Sequence, residues 1–193
     1  PSRASMLTGT HAHVHGVVDN SGEHDPAPEL PTYPELLQQH GYVTAHIGKW
    51  HMAAGDEPRR GYTHWFAFDG QGEYFDPTIN RNGETAVRPG YVTDVLTDET
   101  EAFIAAHADQ PFAVNLWHNE SLGRVLAALE SAGVLDRTMV VFSADNGFFM
   151  GEFRLRDKRL AYDPSMRIPL IVRYPPAGRG VTEDALVSAL DLG

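Results

Sequence analysis

Cysteine is absent from the 193 residues. The chain therefore holds no disulfide, and its redox compartment cannot be read from thiol usage. Long apolar runs are absent too. No stretch approaches the roughly 18–20 residues of a membrane-spanning helix. Positive charge is scarce, with 15 Lys and Arg against 26 Asp and Glu and a formal net charge of −11. That balance disfavours nucleic acid and anionic membranes as partners. It leaves room for a small anionic substrate wherever Lys and Arg cluster. Repeats and low-complexity tracts are missing. So is an initiator Met: the chain opens on "PSRASMLTG", in the middle of what reads as a site. An internal piece of a longer chain is the expectation, and the lack of a targeting segment then says nothing of compartment.

What is present suffices for one ordinary domain with a hydrophobic core. Hydrophobic residues make up 42% and charged residues 21%, ordinary for a globular protein. Apolar runs at 42–47, 112–117, 139–144 and 168–173 read as strands. They are rich in β-branched and aromatic residues and do not alternate cleanly, as expected of strands buried on both faces. Helical patterns lie between them. Segment 121–132 has Ser121 as N-cap and Gly133 past its end. Segment 94–107 starts at Asp94, and segment 33–40 ends at Gly41. The stretch 56–93 reads as loop, with a hairpin around Asn82-Gly83. Strands alternating with helices predict an α/β fold with a mostly parallel central sheet flanked by helices. The final "ALVSALDLG" starts a new apolar element and stops, a second sign of truncation.

Polar residues follow each of three strands: Gly48-Lys49-Trp50-His51, His118-Asn119-Glu120 and Asp145-Asn146-Gly147. Ligands of open α/β sheets bind beyond the carboxyl ends of strands. Asp145 and Asn146 are adjacent hard oxygen donors that suit Ca²⁺ or Mg²⁺, although "DNG" alone reads more readily as a turn. In an extended loop, Lys49 and His51 would point the same way and face one anion. "GEFRLRDKR" is either a solvated charged loop or the basic side of an anion pocket. "HAHVHG" has metal-like spacing, but packing or surface roles are favoured for His11, His13 and His15.

Together these blocks resemble the formylglycine-dependent sulfatases of the alkaline-phosphatase-like superfamily. "PSRASMLTG" matches the signature C-x-P-S-R-x-x-x-L-T-G without its first two positions. "HVHGV", "GYVTAHIGKWHM", "FSADNG", "GEFRLRDKR" and "SMRIPLIVRYP" are similar to further blocks of that family, in the same order. The resemblance implies hydrolysis of sulfate monoesters. It places the formylglycine precursor, a Cys or Ser, two positions before Pro1, outside this chain. It implies that Arg3 supports that group, that Lys49 and His51 contact it and the sulfate, that Lys158 binds sulfate, and that Asp145 and Asn146 complete a Ca²⁺ site. His51 is the candidate for proton transfer. A formylglycine-generating enzyme is an implied partner, and the compartments of family habit are periplasmic, secreted or lysosomal.

The chain departs from that pattern in two places. Between "NLWHNE" and "SLGRVLAALE" the resemblance implies that dozens of residues are missing, and His118 either stands near a further catalytic His or is merely its neighbour. Phe153 stands where the family tends to have His. The chain is accordingly expected to be a partial catalytic domain over 1–193. It would lack the N-terminal strand and nucleophile, an internal segment near 118–121 and the C-terminal part, and would be inactive alone. The expected substrate is a sulfated small molecule or glycan. The aromatic residues of 61–93 would suit a sugar ring or, equally, the core. A phosphomonoester or phosphonate-ester hydrolase, or a non-catalytic fragment, are the rival readings.

Overall fold

The computed structural model describes residues 1–19, 25–52, 55–117, 121–158, 160–178 and 180–192. In chain order the elements are α1 (Ser2–Thr8), α2 (Ala12–His15), α3 (Tyr33–Gln39), β1 (Val43–Lys49), β2 (His64–Phe68), β3 (Thr78–Arg81), β4 (Glu84–Val87), α4 (Val92–His107), β5 (Phe112–Trp117), α5 (Leu122–Ser131), β6 (Val140–Ser143), β7 (Phe149–Met150), β8 (Arg156–Asp157), α6 (Asp163–Met166) and β9 (Leu170–Arg173). The main sheet has the order β4-β3-β2-β1-β5. Its centre is parallel, with β1 flanked by β2 and β5. The β3–β4 hairpin adds an antiparallel edge. The expected α/β class, with its parallel core and flanking helices, is what the chain adopts.

The strands β1 and β2 explain why their runs are apolar without alternation. Ala45 and Ile47 of β1 and Phe66 and Phe68 of β2 face α4, where they meet Val92, Leu96 and Phe103. Trp65 and Ala67 point to the opposite face and pack with Ala4 and Leu7 of α1, and with Trp50 and Met52. Side chains alternate across a strand, so two covered faces demand apolar residues at every position. His46 also faces the α1 side, fully buried between the rings of Trp50, Tyr62 and Trp65. Burial and the nearby Arg3 charge push its imidazole down to about 3, so it stays neutral.

Two expectations need correction. The stretch 56–93 is not only loop and hairpin, because β2 lies inside it and pairs with β1 from Ala45↔His64 to Lys49↔Phe68. The hairpin itself forms as expected, with Asn82 and Gly83 both at positive φ between the paired Arg81 and Glu84. The runs at 139–144 and 168–173 do form strands, but β6 and β9 pair antiparallel with each other in a separate two-stranded ribbon.

Candidate active site

The parallel strands end on one side of the main sheet. Lys49 pairs with Phe68 and Gly48 with Trp117, so β1, β2 and β5 present their carboxyl ends together. The approach at Gly48 is close: a Cβ there would lie 1.9 Å from the Trp117 carbonyl oxygen. Arg3 reaches these ends from α1. Its Nη1 donates to the carbonyls of Lys49 and Trp50. Its guanidinium lies over the Trp117 ring, 4.5 Å from the centroid. Its Nε and Nη2 both stand 3.5 Å from Asp145 Oδ2, a loose ion pair that joins the sheet to the segment after β6.

Asp145 lies at a bend after β6, and neither it, Asn146 nor Gly147 has the positive φ on which the reading of "DNG" as a turn rested. Gly147 is needed for close packing instead: a Cβ there would lie 2.2 Å from the Pro164 carbonyl oxygen, and its N–H donates to the Ser165 carbonyl. Asn146 Oδ1 accepts a hydrogen bond from Lys158 Nζ at 3.0 Å. Ser165 Oγ holds the Lys158 carbonyl at 2.7 Å. Of the basic run 154–158, Arg154 and Arg156 are exposed, and Lys158 is the residue bonded at the site.

Lys49 is buried at the end of β1. Burial and the neighbouring Arg3 charge pull its ammonium down to about 8. His51 does not continue an extended strand; its φ is +54°. Burial, followed by the charges of Lys49, Arg3 and Lys158, holds its imidazole below the usual range, as expected of a side chain beside those three cations. Arg3, Lys49, His51, Asp145, Asn146 and Lys158 are thus brought together. His118 lies outside the described residues. Two neighbours had no signal in the sequence reading: Trp117 under Arg3, and Gln71, whose Oε1 accepts from Lys49 Nζ at 2.6 Å.

Among the described residues the "HAHVHG" segment gathers no set of three metal-ligating side chains. It forms α2, with the His11 and His13 rings stacked 5.8 Å apart and His15 turned inward. His15 is buried, with Nδ1 accepting the Val17 N–H and Nε2 bonded to Ser5 Oγ. His11 and His13 are exposed. Asp145 and Asn146 are oxygen donors of the kind a hard divalent cation takes. Among the described residues no group of three or more His, Asp or Glu gathers to hold a metal ion. The pair therefore fits Ca²⁺ in kind and supplies only part of the about six to eight oxygens that ion prefers.

Cations surround an oxygen-donor pair at the carboxyl edge of a parallel sheet, an arrangement whose charge suits an anion. The sulfatase family model matches residues 1–121 and 114–193, and the chain belongs to the sulfatase family. N-acetylglucosamine-6-O-sulfatase of Bacteroides thetaiotaomicron is 26% identical over 323 residues, which cover 99% of this chain and 57% of that protein. The chain thus spans little more than half the length of this relative. A solved structure described as a complex with its substrate D-glucosamine-2-N,6-O-disulfate superimposes with a TM-score of 0.81 at 25% identity, over 91% of this chain and 61% of that one. A phosphonate monoester hydrolase from Silicibacter pomeroyi shares the fold, with a TM-score of 0.78 at 19% identity, over 100% of this chain and 62% of that one.

Proposed function

We propose that these residues are part of a sulfuric ester hydrolase acting on a sulfated carbohydrate. The observation that carries this reading is the convergence of Arg3, Lys49, His51 and Lys158 on the Asp145-Asn146 pair, in a chain of the sulfatase family. A sulfate monoester is an anion that gains charge on its leaving oxygen as the S–O bond breaks. Lys49 and Lys158 bind and orient the sulfate oxygens, and Arg3 adds fixed positive charge at the same edge. His51, held neutral, takes a proton from the nucleophile. Asp145 and Asn146 would hold Ca²⁺, which when bound offsets negative charge on the sulfate and the nucleophile.

The nucleophile in this reading is a formylglycine two positions before Pro1, made by a formylglycine-generating enzyme. Pro1 directly precedes α1, whose Arg3 bonds the Lys49 and Trp50 carbonyls and pairs with Asp145, which supports that placement. The family model's two matches meet within 114–121, and the alignment with the N-acetylglucosamine-6-O-sulfatase runs over far more residues than this chain has. Both support a shortened connection near 118–121. The carbohydrate assignment draws on the relative's N-acetylglucosamine-6-O-sulfatase name and on Tyr74 and Phe75, exposed by 63% and 71% on the loop after β2. Flat exposed rings offer stacking surface to a sugar.

The test is hydrolysis of 4-nitrophenyl sulfate, 4-nitrophenyl phosphate and glucosamine 6-sulfate by the protein in its natural reading frame. Sulfate release from the first and third is expected, and loss of it in Lys49→Ala and His51→Ala. The 193-residue chain alone is expected to show no turnover, because its residues include no Cys and, among the described residues, no carboxylates gather to complete a Ca²⁺ shell. A preference for the phosphate ester would select the second reading, a phosphoester or phosphonate-ester hydrolase, which the shared fold with the phosphonate monoester hydrolase favours.

A further inference from the structure

Lys49 has a partner outside every motif that the sequence shows. Its Nζ donates to Gln71 Oε1 at 2.6 Å. Gln71 sits on the turn that follows β2, over the end of β1, and that turn is closely determined. Asp69 Oδ1 accepts the Gly70 N–H at 2.8 Å, and the Asp69 carbonyl accepts the Gly72 N–H at 3.2 Å. Gly70 and Gly72 have φ of +56° and +68°. A Cβ on Gly72 would come within 2.5 Å of the Phe68 ring, so the turn lies directly on the last residue of β2. The bond to Lys49 is the only one that the Gln71 side chain makes among the described residues. Gln71 is itself exposed, so it fills no core position.

The charged surroundings of Lys49 make the chemistry of this partner informative. The ionisable groups facing its ammonium are Arg3 from α1, Lys158 from the segment after β8, His51 two residues on, and Asp145, the one carboxylate among them. An ammonium crowded by cations needs an acceptor to hold its direction. A carboxylate would hold it and also neutralise it, competing with an incoming anion. A neutral amide oxygen holds it and leaves its charge available. We propose that Gln71 is the positioning residue of Lys49, fixing the ammonium at the mouth of the anion site without cancelling its charge. This assignment rests on the proposed sulfate-ester reading for the identity of the anion, and on the geometry alone for the link between the two side chains.

The experiment uses the protein in its natural reading frame, with Lys49 observed by NMR of ¹³C-labelled lysine and assigned through Lys49→Arg. Two variants, Gln71→Glu and Gln71→Ala, are compared with the parent. Hydrogen bonding to the charged form favours it, and so does a nearby opposite charge. Gln71→Glu is therefore expected to raise the Lys49 midpoint by about one pH unit or more, and Gln71→Ala to lower it. Both should weaken binding of inorganic sulfate at pH 7, Gln71→Glu the more. A loss of packing would not move the midpoint in opposite directions. Midpoints unchanged in both variants, or shifted the same way, overturn the proposal even if sulfate binds. Opposite shifts in a protein that binds no sulfate uphold the Gln71–Lys49 link and remove the sulfate-ester reading instead.

Discussion

Lys49 ends a buried strand, and its ammonium titrates near 8 because burial and Arg3 disfavour the charged form. Below that pH the group is positive and attracts an anion. As pH rises through it, the charge is lost. His51 is held below its usual range, so it is already neutral and adds no second step above pH 7. Inorganic sulfate affinity is therefore expected to be highest near pH 7 and to fall as pH rises past 8. Lys49→Met should bind more weakly at pH 7 and converge with the parent near pH 10. Calorimetric titration checks this, and a parent affinity that stays level from pH 7 to 10 would exclude it. One residue earlier, Gly48 has φ of +109° and no room beside Trp117. Gly48→Ala strains both the backbone and the β1–β5 contact, at roughly 3 kcal/mol. A melting temperature lower by roughly 6–12 °C is expected for a chain of this size. An unchanged melt would mean that the strands can part there without loss.

At the scale of elements, α3 shows how local signals were legible. Pro34 sits in the first turn, Gly41 lies past the end, and the Glu35 carboxylate accepts both the N–H and the hydroxyl of Thr32 at 2.8 Å. Glu35→Ala should cost about 1 kcal/mol. Because Thr32 and Glu35 act as one unit, Thr32→Ala combined with it should cost little more than the single change. Urea unfolding measures both, and full additivity would show that the two residues act separately. The half-exposed contact of Glu35 with Arg60 at 3.5 Å adds little. Helices α4 and α5 were legible from their local apolar periodicity, although α4 starts at Val92 rather than at the expected Asp94, and Ser121 precedes α5 without a side-chain cap bond. The hairpin was legible from Asn82-Gly83. Strand β2 was not: its run Trp65–Phe68 is only four residues, set between the Gly- and Pro-containing stretch 56–63 and the glycine-rich turn 69–72. Nor does an apolar run carry the direction of its pairing, so β6 and β9 could be recognised as strands without their antiparallel ribbon being foreseen.

Across the whole molecule, the candidate site is drawn from two unequally buried parts. Arg3, Lys49 and His51 belong to the side of the main sheet, where Ala45, Ile47, Trp65, Phe66 and Phe68 are all but inaccessible. Asp145, Asn146 and Lys158 come from the ribbon side, where Val141, Phe142, Leu170, Ile171 and Val172 are 36–63% exposed. Ordered motifs gave these site residues from sequence, because each follows a recognisable block. Gln71 and Trp117 were invisible because an exposed amide in a turn and a strand-end ring carry no local mark of their neighbours. The two parts meet at the site through the loose Arg3–Asp145 pair, and Arg173 ties the ribbon to the Leu135 carbonyl and Asp136 at its far end. Few buried contacts mean low local stability. Amides of β6 and β9 are therefore expected to exchange with deuterium well before those of β1 and β2. An anion held by Lys49 on one side and Lys158 on the other would couple the parts and stabilise the bound form. Saturating inorganic sulfate should then slow exchange in 144–158 and leave β1 unchanged. Mass-spectrometric exchange with and without sulfate reads both effects. Equal protection of ribbon and sheet would refute the first, and a sulfate effect confined to the sheet would place the anion away from Lys158.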